Sequence, residues 1–298
     1  MGEDAETVLI RIRAAMPALR PSERRIAEEF TGDPAAAANL SIAELAARCE
    51  TSTTSVVRFY QRMGYAHYKD FRIDLTRAVA REELALGRAG SSLPEVSGDI
   101  DRHDSLEGIV SKVAMNETLS IADTARALDM EALGEAVALL LGARRIDTFG
   151  VGASALVGLD LQQKLSRIGR TAITWHDAHS AWTSAATLDG TCVAVAVSHT
   201  GATTDTVEFL GIARASGAST VAITNFRESP LAGAADVTLT TAARETRFRS
   251  GALGSRIAQL MVVDCLFTGV AQASYDASME ALRNTYAVVH DRAVHKRG

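Results

Sequence analysis

From Arg145 onward the chain alternates short apolar runs with longer helix-patterned stretches, and this alternation restricts its architecture more than any other feature. The runs are IDTF at 146–149, TAITW at 171–175, TCVAVAVS at 191–198, STVAIT at 219–224 and DVTLTT at 236–241. Runs this short, bounded by turn residues, read as buried strands. Helical stretches at 153–168, 203–216 and 254–273 follow the first, third and fifth of them. Strands separated by helices must cross over to pair in parallel, so the pattern predicts a doubly wound, mostly parallel α/β sheet.

The first eighty residues have a different texture. Residues 5–16 form a helical stretch ended by Pro17, and Pro21-Ser22 begin another that closes at Gly32-Asp33-Pro34. Ser41 with Glu44 makes a capping box, which starts a helix there. Ser52 caps the next, whose apolar Val56, Val57 and Tyr60 lead to a stop at Gly64. Two short helices about four residues apart fit a helix-turn-helix. The expected organisation is therefore multi-domain: an all-α head at 1–81, a Gly- and Ser-rich linker at 82–104, the α/β domain at 105–273 with leading helices at 105–125 and 130–141, and a helical tail at 274–298.

Length and composition agree. A chain of 298 residues suggests roughly two domains. With 47% apolar and 22% charged residues, a disordered, collagen-like or coiled-coil chain is excluded. No continuous apolar run approaches the ~20 residues of a membrane span, and the acidic start (Glu3, Asp4, Glu6) is unlike a signal peptide, so a cytoplasmic protein without a membrane partner is expected. Cys49, Cys192 and Cys265 lie far apart without a CxxC pair, which argues against disulfides and structural zinc. The net charge of −5 conceals an asymmetry. Between 58 and 81, Arg58, Arg62, Lys69, Arg72, Arg77 and Arg81 face only Asp70 and Asp74, a net of +4. Such a stretch serves either a polyanion or a solvated helix face.

Two loops carry the chemistry of the α/β part. Gly150-Val151-Gly152-Ala153-Ser154-Ala155 joins the first strand to a helix, where glycines admit an anion to the helix N-terminus. The same string fits the dinucleotide fingerprint, with Asp177 as a ribose ligand, or simply a tight turn. Ser198-His199-Thr200-Gly201-Ala202-Thr203 follows the third strand and offers three hydroxyls and a glycine. Ser154 adds a fourth. In a flavodoxin-like strand order both loops converge at the switch point, so Gly152, Ser154, Ser198, Thr200, Gly201 and Thr203 are the expected phosphate site. An ordinary Ser/Thr helix cap explains one such hydroxyl but not four.

The whole chain resembles the RpiR-type transcriptional regulators. Residues 21–77 look like their N-terminal domain through PSERRIAEEF, SIAELA and SVVRFYQRMGYAHYKDFRIDL. Residues 145–270 look like a sugar isomerase (SIS) domain through GVGAS, QQKLSRIG, HDAH, SHTGATTDT, ITN and SRIAQLMVVDCLF. The resemblance implies a regulator of carbohydrate metabolism that binds duplex operator DNA and senses a phosphorylated sugar. Because one helix-turn-helix reads few bases, a homodimer or higher homo-oligomer is expected. Because Glu245 is the only acid in the loop before the last long helix and no lysine lies near the two glycine-containing loops, neither catalysis nor a cofactor is expected. Two positions depart from the family pattern. Glu50 occupies the helix-turn-helix turn, where a small residue is usual, and Thr200 stands where serine is common.

The recognition helix is expected at about 53–63, with Thr53, Thr54, Ser55, Arg58 and Arg62 facing DNA. Tyr65, His67, Tyr68 and Lys69 would clamp its backbone, while Val56, Val57 and Phe59 pack. His176 and His179 form an HxxH without further metal-spaced ligands, so no metal is expected. His179, in a loop after the second strand, and Glu245, before the last long helix, are candidate sugar contacts. Glu245 serves equally as a surface charge, and His199 equally points outward. Two enzyme readings compete: a sugar-phosphate isomerase with Glu245 as base and His179 as helper, and a nicotinamide enzyme using GVGASA and Asp177.

Overall fold

The computed structural model describes residues 7–85, 102–245 and 252–290, and these divide into two compact units. The first comprises Met1–Ala127 with Ala242–Gly254; the second comprises Leu128–Thr241 with Ser255–Gly298.

In the first unit, α1 (Val8–Ala15) and α2 (Pro21–Gly32) precede a single turn, α3 (Pro34–Ala37). The helix-turn-helix is α4 (Ile42–Arg48) and α5 (Thr53–Arg62), followed by α6 (Tyr68–Ala85) and α7 (Leu106–Ala127). The expected caps are in place. Ser41 Oγ accepts from Glu44 N while Glu44 Oε2 accepts from Ser41 N at 2.8 Å, and Ser52 Oγ accepts from Ser55 N at 3.2 Å. Phe30, Phe59 and Phe71 fill the centre, with Phe30 stacked on Phe59 at 5.8 Å and edge-on to Phe71 at 4.9 Å. Helix α6 extends three residues past the proposed start of the linker at 82, and residues 86–101 lie outside the described residues.

In the second unit, α8 (Met130–Gly142) leads into β1 (Arg145–Gly150), α9 (Ala153–Arg167), β2 (Ala172–Thr174) and α10 (Ala178–Ala185). Then come β3 (Cys192–Val197), α11 (Thr204–Ala215), β4 (Ser219–Thr224), α12 (Pro230–Ala234) and β5 (Val237–Thr240), followed by α13 (Leu253–Ala273) and α14 (Tyr275–His290). All four strand pairings are parallel, in the order β2-β1-β3-β4-β5. One face of the sheet packs Ile146, Val193, Val195, Val221 and Leu239 against α8, α9 and α13; the other packs Phe149, Ala194, Ala196 and Ala222 against α10 and α11. Helix α13, at 21 residues, is long and apolar enough to cross a membrane by length and composition. It places Ala258, Val262, Val263, Leu266 and Val270 in the core, which accounts for its apolar character.

Three placements differ from the sequence expectations. Helix α7, read as leading the α/β domain, groups with the first unit, and residues 274–290, read as a separate tail, group with the second. Leu282 of α14 packs on the sheet core, which explains the latter. His179 is not in a loop but in the first turn of α10, whose cap Asp177 accepts from Ser180 N at 2.8 Å.

Candidate functional sites

The register pairs Gly150 of β1 with Val197 of β3, so the loops that follow leave the sheet side by side at its carboxyl edge. The strand order reverses between β1 and β3, which is where open α/β sheets bind ligands. Gly152, at φ +62°, turns the chain into α9, and Gly201, at φ +61°, shapes the second loop. A side chain at 201 would place its Cβ 2.1 Å from Ser229 Oγ, so only glycine fits there.

Four hydroxyls flank these turns. Ser154 and Ser198 are buried, Thr203 is half-buried and Thr200 is exposed. Ser198 Oγ lies 3.2 Å from Thr203 Oγ1 and accepts Gly201 N at 3.2 Å; Thr200 Oγ1 accepts Ala202 N at 3.3 Å. In the same unit, α8, α10 and α12 have their first N–H groups capped by Asp129, Asp177 and Ser229. Helices α9 and α11, the two that start from these loops, have no side-chain cap. Their uncapped N–H groups and positive dipole ends converge where the hydroxyls stand, an arrangement suited to an acceptor-rich anion.

Other candidates are placed differently. His179 is exposed on α10. Glu245 is half-buried in the segment 242–245, which belongs to the first unit, so the two proposed sugar contacts sit in different units. Asp177, the ribose ligand of the dinucleotide reading, spends its carboxylate on the α10 cap, and the Ser180 N–H holds its pKa below the ordinary carboxylate value. His199 is buried, with its ring edge-on to Phe226 at 5.6 Å, rather than outward. No metal-binding cluster of His, Cys, Asp or Glu occurs among the described residues. One residue escaped the sequence reading. Gln259 of α13 is buried, and its Oε1 accepts a long hydrogen bond from Ser154 Oγ at 3.4 Å. It is 105 positions from Ser154 inside an apolar helix, and only its polarity there marks it.

On the helix-turn-helix, α5 exposes Thr53, Thr54, Arg58 and Arg62, with Ser55 half-buried, while Val56, Phe59 and Tyr60 turn inward. Arg58 and Lys69 make no ion pair among the described residues; Arg62 lies 3.5 Å from Glu23 and is partly committed. The tyrosines after α5 are structural rather than DNA clamps. Tyr65 OH donates to Asp74 at 2.9 Å and accepts from Arg11, and Tyr68 OH donates to the Leu40 carbonyl at 3.1 Å. Burial pushes both phenols up to about 12. His67 and Lys69 remain exposed. The turn contains Glu50 at φ +48°, the left-handed region that favours glycine, which accounts for the usual small residue there. Arg25 holds this turn, donating to the Cys49 and Glu50 carbonyls at 2.8 and 2.9 Å.

Comparison with known proteins agrees with both units. Residues 6–82 match the helix-turn-helix domain of the rpiR family, and residues 139–269 match the SIS domain. An uncharacterized HTH-type transcriptional regulator of Caldanaerobacter subterraneus is 35% identical over 287 residues, covering 96% of this chain and 98% of the relative. The HTH-type regulator YbbH of Bacillus subtilis is 31% identical over 93% of this chain and 94% of its own length. Among solved structures, Vibrio vulnificus NanR complexed with ManNAc-6P has a TM-score of 0.60 at 28% identity, covering 97% of this chain and all of that one. The sugar isomerase domain of an RpiR transcription factor from Sphaerobacter thermophilus has a TM-score of 0.55 at 27% identity, covering 60% of this chain and 98% of that one. With both domains matched in order and relatives above 30% identity along nearly its whole length, the chain belongs to the RpiR family of HTH-type transcriptional regulators, with a C-terminal SIS domain.

Proposed function

We propose that this regulator binds operator DNA through α5 and senses a phosphorylated sugar at the β1/β3 edge of its SIS unit. The observation that carries the second half is the pair of uncapped helix N-termini, α9 and α11, flanked by Ser154, Ser198, Thr200 and Thr203. These groups donate to phosphate oxygens without a competing local cap. Vibrio NanR, of the same overall fold, is described with ManNAc-6P bound, which makes a hexosamine 6-phosphate a reasonable first probe. For DNA, exposed Thr53, Thr54 and Arg58 supply the reading face, with Arg62 and Lys69 for phosphates. One helix-turn-helix reads few bases, so two heads act together and the working unit is at least a homodimer, in the cytoplasm with the chromosome. Effector binding shifts the population between arrangements of the paired heads, which changes operator affinity.

The SIS unit binds its ligand without turning it over. Asp177 spends its carboxylate on the Ser180 N–H at the start of α10, where it serves as a cap rather than as a base. A thermal-shift panel of sugar phosphates identifies the effector, since a ligand that binds only the folded state raises Tm. The double variant Ser198→Ala/Thr200→Ala should then weaken that effector at least about a hundredfold, because each lost hydrogen bond to a charged group is worth roughly 1.5–3 kcal/mol. Calorimetry showing undiminished binding in a folded double variant refutes the site.

A further inference from the structure

We infer that Gln259 is an effector-binding residue whose buried side-chain amide donates to the phosphate group held at the β1/β3 edge; the inference rests on the sugar-phosphate reading above. Gln259 is 1% exposed, on the face of α13 that otherwise buries Ala258, Val262, Val263 and Leu266. Its Oε1 accepts from Ser154 Oγ at 3.4 Å, but its Nε2 has no hydrogen-bond partner among the described residues. A buried donor without an acceptor is destabilising, and an apolar side chain of the same length would serve a purely structural helix better.

The missing acceptor has a defined chemistry. Ser154 lies in the first turn of α9, at one of the two uncapped helix starts. The two heteroatoms of one amide are neighbours, so a ligand oxygen that bonds Ser154 is also within reach of Nε2. The dianionic phosphate of a sugar monoester only accepts, which matches an NH2 group and a helix N-terminus. The Ser154–Gln259 bond is longer than the 2.5–3.0 Å usual between a hydroxyl and an oxygen. Ser154 therefore exchanges it readily for a stronger bond to an anion. A neutral amide also leaves the charge balance with the ligand, whereas a glutamate here would repel it.

The test compares wild type with Gln259→Met and Gln259→Glu, using inorganic phosphate and N-acetylmannosamine 6-phosphate as probes. Methionine keeps the length and removes the orphaned amide; glutamate keeps an acceptor for Ser154 but removes the donor and adds an anion. Gln259→Met should bind the probes about 10- to 150-fold more weakly, the loss of one hydrogen bond to a charged group, and Gln259→Glu more weakly still because it adds a like charge. Without ligand, Gln259→Met should melt no lower than wild type, which a structural amide does not allow. Unchanged probe affinity, or a Gln259→Met protein that melts lower or fails to fold, overturns the inference. If Ser198→Ala/Thr200→Ala loses the probes while Gln259→Met retains them, the phosphate site stands and only the role of Gln259 falls. If wild type binds neither probe, both fall.

Discussion

Removing the carboxylate of Asp123 should destabilise the first unit selectively. Asp123 of α7 is 1% exposed and is surrounded by three arginines. Its Oδ2 accepts from Arg13 Nη1 at 2.9 Å and from Arg244 Nε and Nη2 at 2.9 and 2.7 Å; Oδ1 accepts from Arg126 Nη1 at 3.3 Å. Arg13 and Arg244 are themselves only 12% and 15% exposed, so neither exchanges Asp123 cheaply for water. Breaking a buried ion pair by deleting one partner typically costs about 3–5 kcal/mol. Arg13 and Arg244 also make further interactions, which sets the expectation for Asp123→Ala at the lower end, about 3 kcal/mol. Asp123→Asn should cost nearly as much, since it keeps the shape but turns an amide donor toward donors. Urea unfolding offers a built-in control. Both tryptophans, Trp175 and Trp182, lie in the second unit, so fluorescence reports on that unit, while helical circular dichroism reports on both. At a slope of roughly 1–3 kcal/mol/M, the first-unit transition should move down by about 1–3 M urea. A dichroism shift below about 0.5 kcal/mol, or an equal displacement of the tryptophan transition, refutes the assignment of Asp123 as the anchor of the first unit.

Four other perturbations follow from the same structure. Glu50→Gly relieves a left-handed backbone and should raise head stability by about 1 kcal/mol in thermal melts; a lower Tm would contradict the strain. Gly201→Ala sets its Cβ against Ser229 and Thr224 Oγ1, so it should cost about 1–3 kcal/mol or more and abolish sugar-phosphate binding; a soluble variant with wild-type binding would contradict this. Asp147→Ala strips the buried carboxylate that accepts from Arg145, Trp175 Nε1 and Ser184 Oγ, and should lower the tryptophan-detected transition by about 3–5 kcal/mol. Arg58→Ala should cost about 1–3 kcal/mol in operator affinity if the guanidinium reads a base, and equal wild-type affinity for operator and scrambled duplex would remove the premise.

The strands and the helix-turn-helix were legible because each is written locally. Apolar runs mark β1, β3 and β4, and the Ser41/Glu44 box and Ser52 mark the starts of α4 and α5 within three residues of sequence. Helix α10 was missed because its apolar stripe, Ala178, Ala181, Trp182 and Ala185, spans only eight residues and is three-quarters alanine, and its start depends on one Asp177 cap. The hydroxyls that stand at the β1/β3 edge could be read from sequence, since their loops repeat a strand–glycine–hydroxyl–helix pattern. Gln259 and Asp123 could not. Each acquires its meaning from partners 105 to 121 residues away, a distance that periodicity does not span. The tyrosines at 65 and 68 misled for the opposite reason: an aromatic next to a basic helix fits either a DNA clamp or a core lid, and only Arg11, Asp74 and Leu40 distinguish the two.

The split of the first unit into Met1–Ala127 and Ala242–Gly254 carries a consequence for synthesis on the ribosome. Thr124 Oγ1 accepts from Ala242 N at 3.1 Å and Ser120 Oγ from Arg244 N at 3.0 Å, across 118 and 124 positions. When α7 emerges, these two partners have not been translated. At about 5–20 residues per second they arrive roughly 6–25 s later, after all five strands of the sheet. Until then Ser120 and Thr124, both fully buried in the finished protein, stand open to water or to a chaperone. The head's helices complete their own core early, but the unit to which they belong closes only when the chain returns to it, so the order of translation places the SIS sheet before the closure of the helix-turn-helix unit.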